Sequence, residues 1–155
     1  TYLGMTMPMA VLALISWLKN PYNGNKSEVA VNRLKTGEYL FSAVLTGIVT
    51  VIFYFVLDYF NTANMIFSTL SVATSFIAVY LTFRRSPFYA VGYAANDIVL
   101  IIMWVMAAKG DKSGISVAVC FGAFLVNDLY GFISWKNMEK RQTNFHNTIA
   151  KKSNL

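Results

Sequence analysis

The chain has 155 residues, of which 56% are hydrophobic and only 13% are charged. Charged residues make up about a quarter of an ordinary soluble domain, so this composition excludes a soluble globular protein. The single cysteine and single histidine exclude a disulfide framework, a thiolate metal cluster and histidine-based nucleophilic catalysis within the chain. No glycine-rich phosphate loop is present. We expect one all-α integral membrane domain that is not an enzyme and requires no cofactor.

Five apolar blocks, each close to the ~20 residues that cross a hydrocarbon core, predict five transmembrane helices. They cover residues 1–18, 39–57, 64–83, 88–108 and 115–135. The residues from Thr1 onward already form an apolar run, and they lack the basic segment with which a signal peptide begins. We therefore expect the first block to be the end, or most, of a helix in a chain whose earlier membrane segments are missing.

The segments between the blocks are polar and rich in turn-forming residues. Residues 19–38 contain Asn-Pro and Tyr-Asn-Gly-Asn, which predict tight turns, and the alternation in residues 28–34 predicts a short extended piece. We expect short connections at residues 58–63, 84–87 and 109–114. Residues 136–155 form a polar, basic tail that is predicted to be a frayed helix.

The net charge of +6 is concentrated between and beyond the apolar blocks, which indicates membrane topology and not a nucleic-acid site. If residues 19–38 are cytoplasmic, eleven Lys and Arg side chains lie on the cytoplasmic side. Only Lys109 and Lys112 then lie on the opposite side. The positive-inside rule therefore predicts a cytoplasmic C-terminus.

Two Asn-Asp pairs lie inside apolar blocks, Asn96-Asp97 in the fourth and Asn127-Asp128 in the fifth. Polar groups at membrane depth are costly and mark a pathway or a helix contact. Asn96 and Asn127 each lie eight residues from the predicted cytoplasmic face, roughly 12 Å deep. The two pairs are therefore expected at the same level in antiparallel neighbouring helices.

Tyr89 and Tyr93 share a helical stripe with Asn96. Amides, phenols and carboxylates together suit a ligand that has an aromatic ring and several hydroxyls. We predict that Tyr93, Asn96 and Asn127 face a permeation path, with Tyr89, Asp97 and Asp128 as second choices. The alternative for each of these polar groups is a hydrogen bond between helices that only holds the bundle together.

A polar face of the third block, at positions 64, 68, 71 and 75, is expected either to line a cavity or to let helices approach closely. Trp17, Trp104 and Trp135 are predicted to be anchors at the membrane interface. The similar runs ISWLKN, residues 15–20, and ISWKN, residues 133–137, each close an apolar block on the same side. They suggest parallel repeats, from which many transporters are built.

Two segments carry a specific resemblance, STLSVATSFIAVYLTFRRSPFYAVGYAANDIVLIIMW and FLVNDLYGFISWKNM. The chain resembles the PnuC family of nicotinamide riboside transporters, particularly its Gram-positive members, over residues 17–142. The resemblance implies a SWEET-like architecture of two parallel three-helix bundles around a linking helix. Residues 1–18 would then end the first bundle, residues 19–38 form a cytoplasmic loop, residues 39–58 form the linker and residues 64–135 form the second bundle.

The resemblance implies facilitated diffusion of nicotinamide riboside across a bacterial plasma membrane. Family members typically have tryptophans where this chain has Tyr89 and Tyr93, which leaves other nucleoside-like vitamin precursors open as substrates. The expected partners are the riboside and membrane lipids. Whether the protein also forms a homo-oligomer is left open by the sequence.

Three other functions also stay open. One is an ion-coupled carrier of another nucleoside-like vitamin or sugar, with Asp97 and Asp128 as relays. Another is an intramembrane hydrolase that uses the same acid pair, although the glycine-containing motif of aspartyl proteases is absent. The last is a scaffold subunit without transport activity.

Overall fold

The computed structural model describes residues 5–109 and 113–153, and within them the chain forms five helices and one small hairpin. The helices are α1, Met7–Lys19; α2, Thr36–Tyr59; α3, Met65–Phe83; α4, Tyr89–Ala107; and α5, Ser113–Ser153. The strands are β1, Pro21–Tyr22, and β2, Asn25–Val29. The predicted all-helical membrane architecture is confirmed. Residues 1–4 of the first block and residues 110–112 of the loop at 109–114 lie outside the described residues.

Four of the described helices, α2 to α5, are long and apolar enough to cross a membrane, while α1 has only 13 residues. Most of their large apolar side chains are exposed on the outer surface, as expected where lipid replaces water as the solvent. The buried residues are concentrated in α3 and α4. The core of the bundle therefore lies around these two helices.

The fifth helix does not end near Trp135, as the end of the apolar block had suggested. It continues without a break through the basic tail to Ser153. The tail contains neither glycine nor proline, and seven of its twenty residues are Lys, Glu, Arg or Gln, which are good helix formers. The same helix therefore serves as a membrane span and as a polar extension beyond it.

The loop between α1 and α2 contains the two-stranded antiparallel hairpin. Its turn is made by Asn23 and Gly24, whose φ angles of 48° and 74° suit the two-residue turn that Asn-Gly favours. The extended piece expected at residues 28–34 begins earlier, at Asn25, and its strand ends at Val29.

The C-terminal extension of α5 holds this loop in place. The Gln142 side chain accepts a hydrogen bond from the Val31 amide at 3.0 Å and donates one to the Val29 carbonyl at 3.0 Å, so it substitutes for a neighbouring strand. Arg141 donates to Glu28 at 2.6 Å. These bonds from Arg141 and Gln142 hold the pKa of the Glu28 carboxyl below its usual range.

Helix α4 packs between α3 and α5, and its contact with α3 is especially close at Gly92. A Cβ atom at Gly92 would lie 2.8 Å from the Cα of Ala78, and Ala78 is fully buried. Small residues at such a crossing let two membrane helices approach closely. The Gly92–Ala78 contact therefore sets the distance between α3 and α4.

We predict that Gly92→Val destabilises the protein by about 1–3 kcal/mol, the usual cost of overpacking. The new side chain would collide with the α3 backbone, which cannot move aside as a flexible side chain would. Thermal unfolding in detergent, followed by circular dichroism, measures the change. Gly47→Val is the matched control, since a Cβ at Gly47 meets nothing within 4 Å. Equal unfolding temperatures for the two variants would contradict the prediction.

Candidate functional site

Asn96 lies buried between α4 and α3, where its amide oxygen accepts three hydrogen bonds. The donors are the hydroxyls of Ser71, Thr74 and Ser75, each 3.0 Å away. Three donors from one helix converge on this oxygen because they lie within four residues of each other on α3. Among the described hydrogen bonds the Asn96 amide nitrogen has no acceptor, so its two N–H groups stay available to a ligand.

Asp97 points to the other neighbour of α4. Successive residues of a helix differ by about 100° in direction, so Asp97 faces α5 while Asn96 faces α3. Its carboxyl group lies close enough to the Asp128 carboxyl for the two to interact electrostatically, and one of its oxygens, Oδ2, is buried without a hydrogen-bond partner among the described residues.

The two Asn-Asp pairs thus meet at the same depth, but through their aspartates. Asn127 lies on the exposed face of α5, and its described contacts do not include Asn96. The described contacts therefore bring the two aspartates together and leave Asn127 on the outer face of α5. The physical reason is again angular, since Asp128 takes the inward direction on α5 and Asn127 is turned away by about 100°.

Asn127 belongs to a long exposed stripe on α5 that contains only small or polar residues. The spacing alternates between four and three residues, which follows one helix face. Its members are Ser116, Cys120, Ala123, Asn127, Tyr130, Ser134, Asn137 and Arg141, all exposed. Such a face is unsuited to lipid, because the hydrocarbon core offers no partner to polar groups.

Tyr89 and Tyr93 belong to an aromatic cluster where α1, α4 and α5 come together. The Trp135 ring lies 5.2 Å from Tyr89 and 5.3 Å from Trp17, measured between centroids, and Tyr89 lies 6.1 Å from Tyr93. Trp17 is held in place by a hydrogen bond from its indole nitrogen to the Thr82 carbonyl at 2.9 Å. A Cβ at Gly131 would lie 3.6 Å from the Tyr89 hydroxyl, so this glycine leaves room for the phenol.

Sequence reasoning missed Trp17 and Trp135 as members of this cluster and assigned both to the membrane interface. The structure places the two half-buried rings against each other, and Trp135 also lies against Tyr89. The repeated runs ISWLKN and ISWKN contained the signal, because each places a tryptophan where an apolar block meets a polar segment on the same side. Two such boundaries that lie side by side bring their tryptophans together.

The hydroxyl face of α3 serves both of the purposes that were left open for it. Ser71 and Ser75 bond to Asn96, and together with Ser68 they also line a cavity of about 170 Å³ between α3, α2, α4 and residues 5–6. Leu57, Val72 and the other apolar residues supply most of the remaining wall. The same hydroxyls therefore join α3 to α4 and border a small cavity.

The site combines flat aromatic surfaces with the amide of Asn96 and the carboxyl group of Asp97, which follow about one to two turns further along α4. Stacking surfaces and hydrogen-bond donors are what a ring-containing, hydroxyl-bearing molecule requires. Within residues 5–109 and 113–153 no group of three or more His, Cys, Asp or Glu side chains is placed to bind a metal ion.

A bundle of helices that are long and apolar enough to cross a membrane defines the class of multi-pass membrane proteins. The match to a family model identifies the branch of that class. Residues 2–137 match the model described as nicotinamide mononucleotide transporter, which is most of the chain. The protein belongs to this family.

A solved structure shares the fold. It is titled "Crystal structure of the Vitamin B3 transporter PnuC", and it matches with a TM-score of 0.73 at 20% sequence identity. The match covers 90% of this chain and 61% of that protein, so the chain spans about three fifths of its length. A comparison with curated proteins gives no match.

We predict that Asn96→Leu lowers the stability of the protein by about 1–2 kcal/mol. Three hydroxyls lose a shared acceptor, and each hydrogen bond between membrane helices contributes roughly 0.6 kcal/mol. Thermal unfolding in detergent measures the loss. Asn127→Leu is the matched control and should unfold at nearly the wild-type temperature, since Asn127 is exposed on α5. A larger loss for Asn127→Leu than for Asn96→Leu would contradict this assignment.

Proposed function

We propose that the protein transports nicotinamide riboside by facilitated diffusion across a bacterial plasma membrane, with its C-terminus in the cytoplasm. The observation that carries the proposal is the aromatic cluster of Tyr89, Tyr93, Trp17 and Trp135, which lies about one to two turns of α4 from the amide of Asn96. Membership of the family and the vitamin B3 transporter with the same fold support it.

The chemistry of the riboside matches these groups. Its pyridinium ring is flat and cationic, and such a ring is attracted to the faces of Trp and Tyr. The ribose hydroxyls both donate and accept hydrogen bonds, which suits the free N–H groups of Asn96. The carboxyl pair of Asp97 and Asp128 lies in the same part of α4 and α5 and adds a site that favours a cation.

The exposed stripe of α5 supports the position of the path. A pathway for a polar molecule needs a wall that is not apolar, and the stripe from Ser116 to Arg141 runs along the described length of this helix. Asn127 lies in its middle part. We therefore keep Asn127 as a residue of the path, although it does not meet Asn96.

We predict that Tyr89→Leu weakens riboside uptake. Loss of one aromatic contact of about 0.5–1.5 kcal/mol should raise the half-saturating riboside concentration about two- to tenfold. Uptake of labelled nicotinamide riboside into proteoliposomes measures the change. Tyr59→Leu is the matched control, because Tyr59 is 81% exposed at the far end of α2.

Two results would count against the proposal. If Tyr89→Leu and Tyr59→Leu transport the riboside equally well, the aromatic cluster is not a binding surface. If the wild-type protein moves thiamine or another vitamin precursor but not the riboside, the substrate assignment is wrong while the assignment as a carrier survives.

The contact between Asp97 and Asp128 favours a second candidate, a carrier that couples its substrate to protons. A carboxyl pair that shares one proton can bind or release it as the substrate moves, as in other membrane relays. Asp97 is buried, and one of its oxygens lacks a partner among the described residues. This arrangement is suited to a proton-linked step.

The two mechanisms differ in their response to a pH gradient. If the carrier is coupled, an imposed gradient should drive the riboside above its equilibrium level, and Asp97→Asn should abolish this accumulation but keep exchange. For facilitated diffusion, uptake stops at equal concentrations and collapse of the gradient changes nothing. Asp58→Asn, at the exposed end of α2, is the matched control and should behave as wild type in both cases.

A further inference from the structure

A basic cavity lies where the loop, the start of α4 and the C-terminal extension of α5 meet. Its volume is about 520 Å³, and its charged lining residues are Arg33, Lys136, Lys140 and Glu139. We call this space the basic cavity. It lies at the end of the bundle where α1 ends and α2 begins, which is the end that carries most of the Lys and Arg side chains.

The charges around the basic cavity do not cancel. Arg33 and Lys136 both bond to Glu139, at 2.7 and 2.9 Å, so one carboxylate holds two cations. Lys140 is exposed and adds a third. Three positive charges and one negative charge leave a net charge of +2 on the lining. Lys136 is also held over the Phe88 ring, with its amine 4.5 Å from the centroid.

The basic cavity continues into an apolar groove that runs along α2, α3 and α4. The groove has a volume of about 360 Å³ and shares Tyr39 and Phe88 with the cavity. Its other lining residues are Thr74, Ile77, Leu81, Val91, Gly92 and Ala95. A charged space at the helix ends is thus joined to an apolar space at membrane depth.

The groove and the proposed transport site lie on different faces of α4, although they share Thr74, which lines the groove and lies 3.0 Å from the Asn96 amide oxygen. Phe88, Val91 and Ala95 follow one face of α4, since they are three and four residues apart. At about 100° per residue, Asp97 points to the opposite side of the helix. A molecule in the groove would therefore touch α4 without occupying the space beside Tyr93 and Asp97.

We propose that the cavity and groove together bind one anionic phospholipid, with its phosphate in the basic cavity and an acyl chain along the groove. Clusters of Lys and Arg at the end of membrane helices attract anionic head groups. The groove supplies the second requirement, because a lipid tail is apolar and a soluble anion would leave it empty. The net charge of +2 favours a lipid with a net negative charge over a zwitterionic one.

Native mass spectrometry of the purified protein in detergent tests the charge requirement. Phosphatidylglycerol should bind at least tenfold more tightly than phosphatidylcholine with the same acyl chains. Lys136→Gln with Lys140→Gln should weaken phosphatidylglycerol binding about thirtyfold, since each cation near an anionic surface contributes about a tenfold or smaller factor. Lys151→Gln with Lys152→Gln removes the same charge from the far end of α5 and should change binding less than twofold.

A second substitution tests the groove. Ala95→Trp places an indole where the acyl chain would lie and should weaken phosphatidylglycerol binding at least tenfold. Val51→Trp is the control, as Val51 is 57% exposed on α2 and does not line the groove. If the double lysine variant fails to fold, Lys140→Gln alone should weaken binding about fivefold, because Lys140 is exposed and makes no described hydrogen bond.

Glycerol 3-phosphate and inorganic phosphate identify the source of the anion. If either binds as tightly as phosphatidylglycerol, the site takes a soluble anion and the lipid proposal is overturned. Equal affinity for phosphatidylcholine, equal loss in the two lysine pairs, or unchanged binding in Ala95→Trp would each overturn it as well.

Discussion

Two adjacent side chains of α4 bond to helices on opposite sides, and the arrangement of the bundle depends on them. The amide oxygen of Asn96 lies within hydrogen-bonding distance of three hydroxyls of α3, while the carboxyl group of Asp97 lies close to that of Asp128 on α5. Within hydrocarbon an unpaired polar group costs several kcal/mol, so each pair resists sliding of its two helices. The register of α4 against α5 then places the aromatic cluster. Tyr89 lies eight residues before Asp97, and Trp135 lies seven residues after Asp128, which brings the two rings to one level of antiparallel helices.

The sequence was sufficient to predict the bounds of two helices and the matching level of the two Asn-Asp pairs on their helices. Length and hydropathy located α3 and α4 within one residue at each end, because a membrane span has a minimum length and a polar boundary. The matching level of the two Asn-Asp pairs was also predicted by counting residues. The contacts of each side chain could not be predicted in this way, because a residue count gives the position along the helix axis and not the direction around it. Only the position of α4 between α3 and α5 decides that aspartate faces aspartate while Asn96 faces the serines.

The tryptophans show a different limit of sequence reasoning. A tryptophan at the end of an apolar block is usually an interfacial anchor. The sequence prediction followed this tendency and gave less weight to the two similar runs ISWLKN and ISWKN. Trp17 and Trp135 pack together because the end of α1 lies beside the middle of α5, a tertiary fact that no single segment encodes. The α5 extension was likewise underestimated, since its stability depends on the loop. Gln142 binds the backbone of Val29 and Val31, and Glu139 binds Arg33, so a polar tail becomes an ordered helix.

The basic end of the bundle also has a structural role that charge counting alone does not reveal. Topology signals require only that Lys and Arg stay on one side of the membrane, yet Arg33 and Lys136 converge on the single carboxylate of Glu139. The Glu139 carboxylate links the loop to α5 through its bond to Arg33. It also orients Arg33 and Lys136, two of the cations that line the basic cavity. Since α4 forms a wall of the apolar groove on one face and bears Asp97 on the other, a lipid in the groove and a substrate at the site contact the same helix. The proposed lipid groove and the proposed substrate site therefore depend on the position of the same helix.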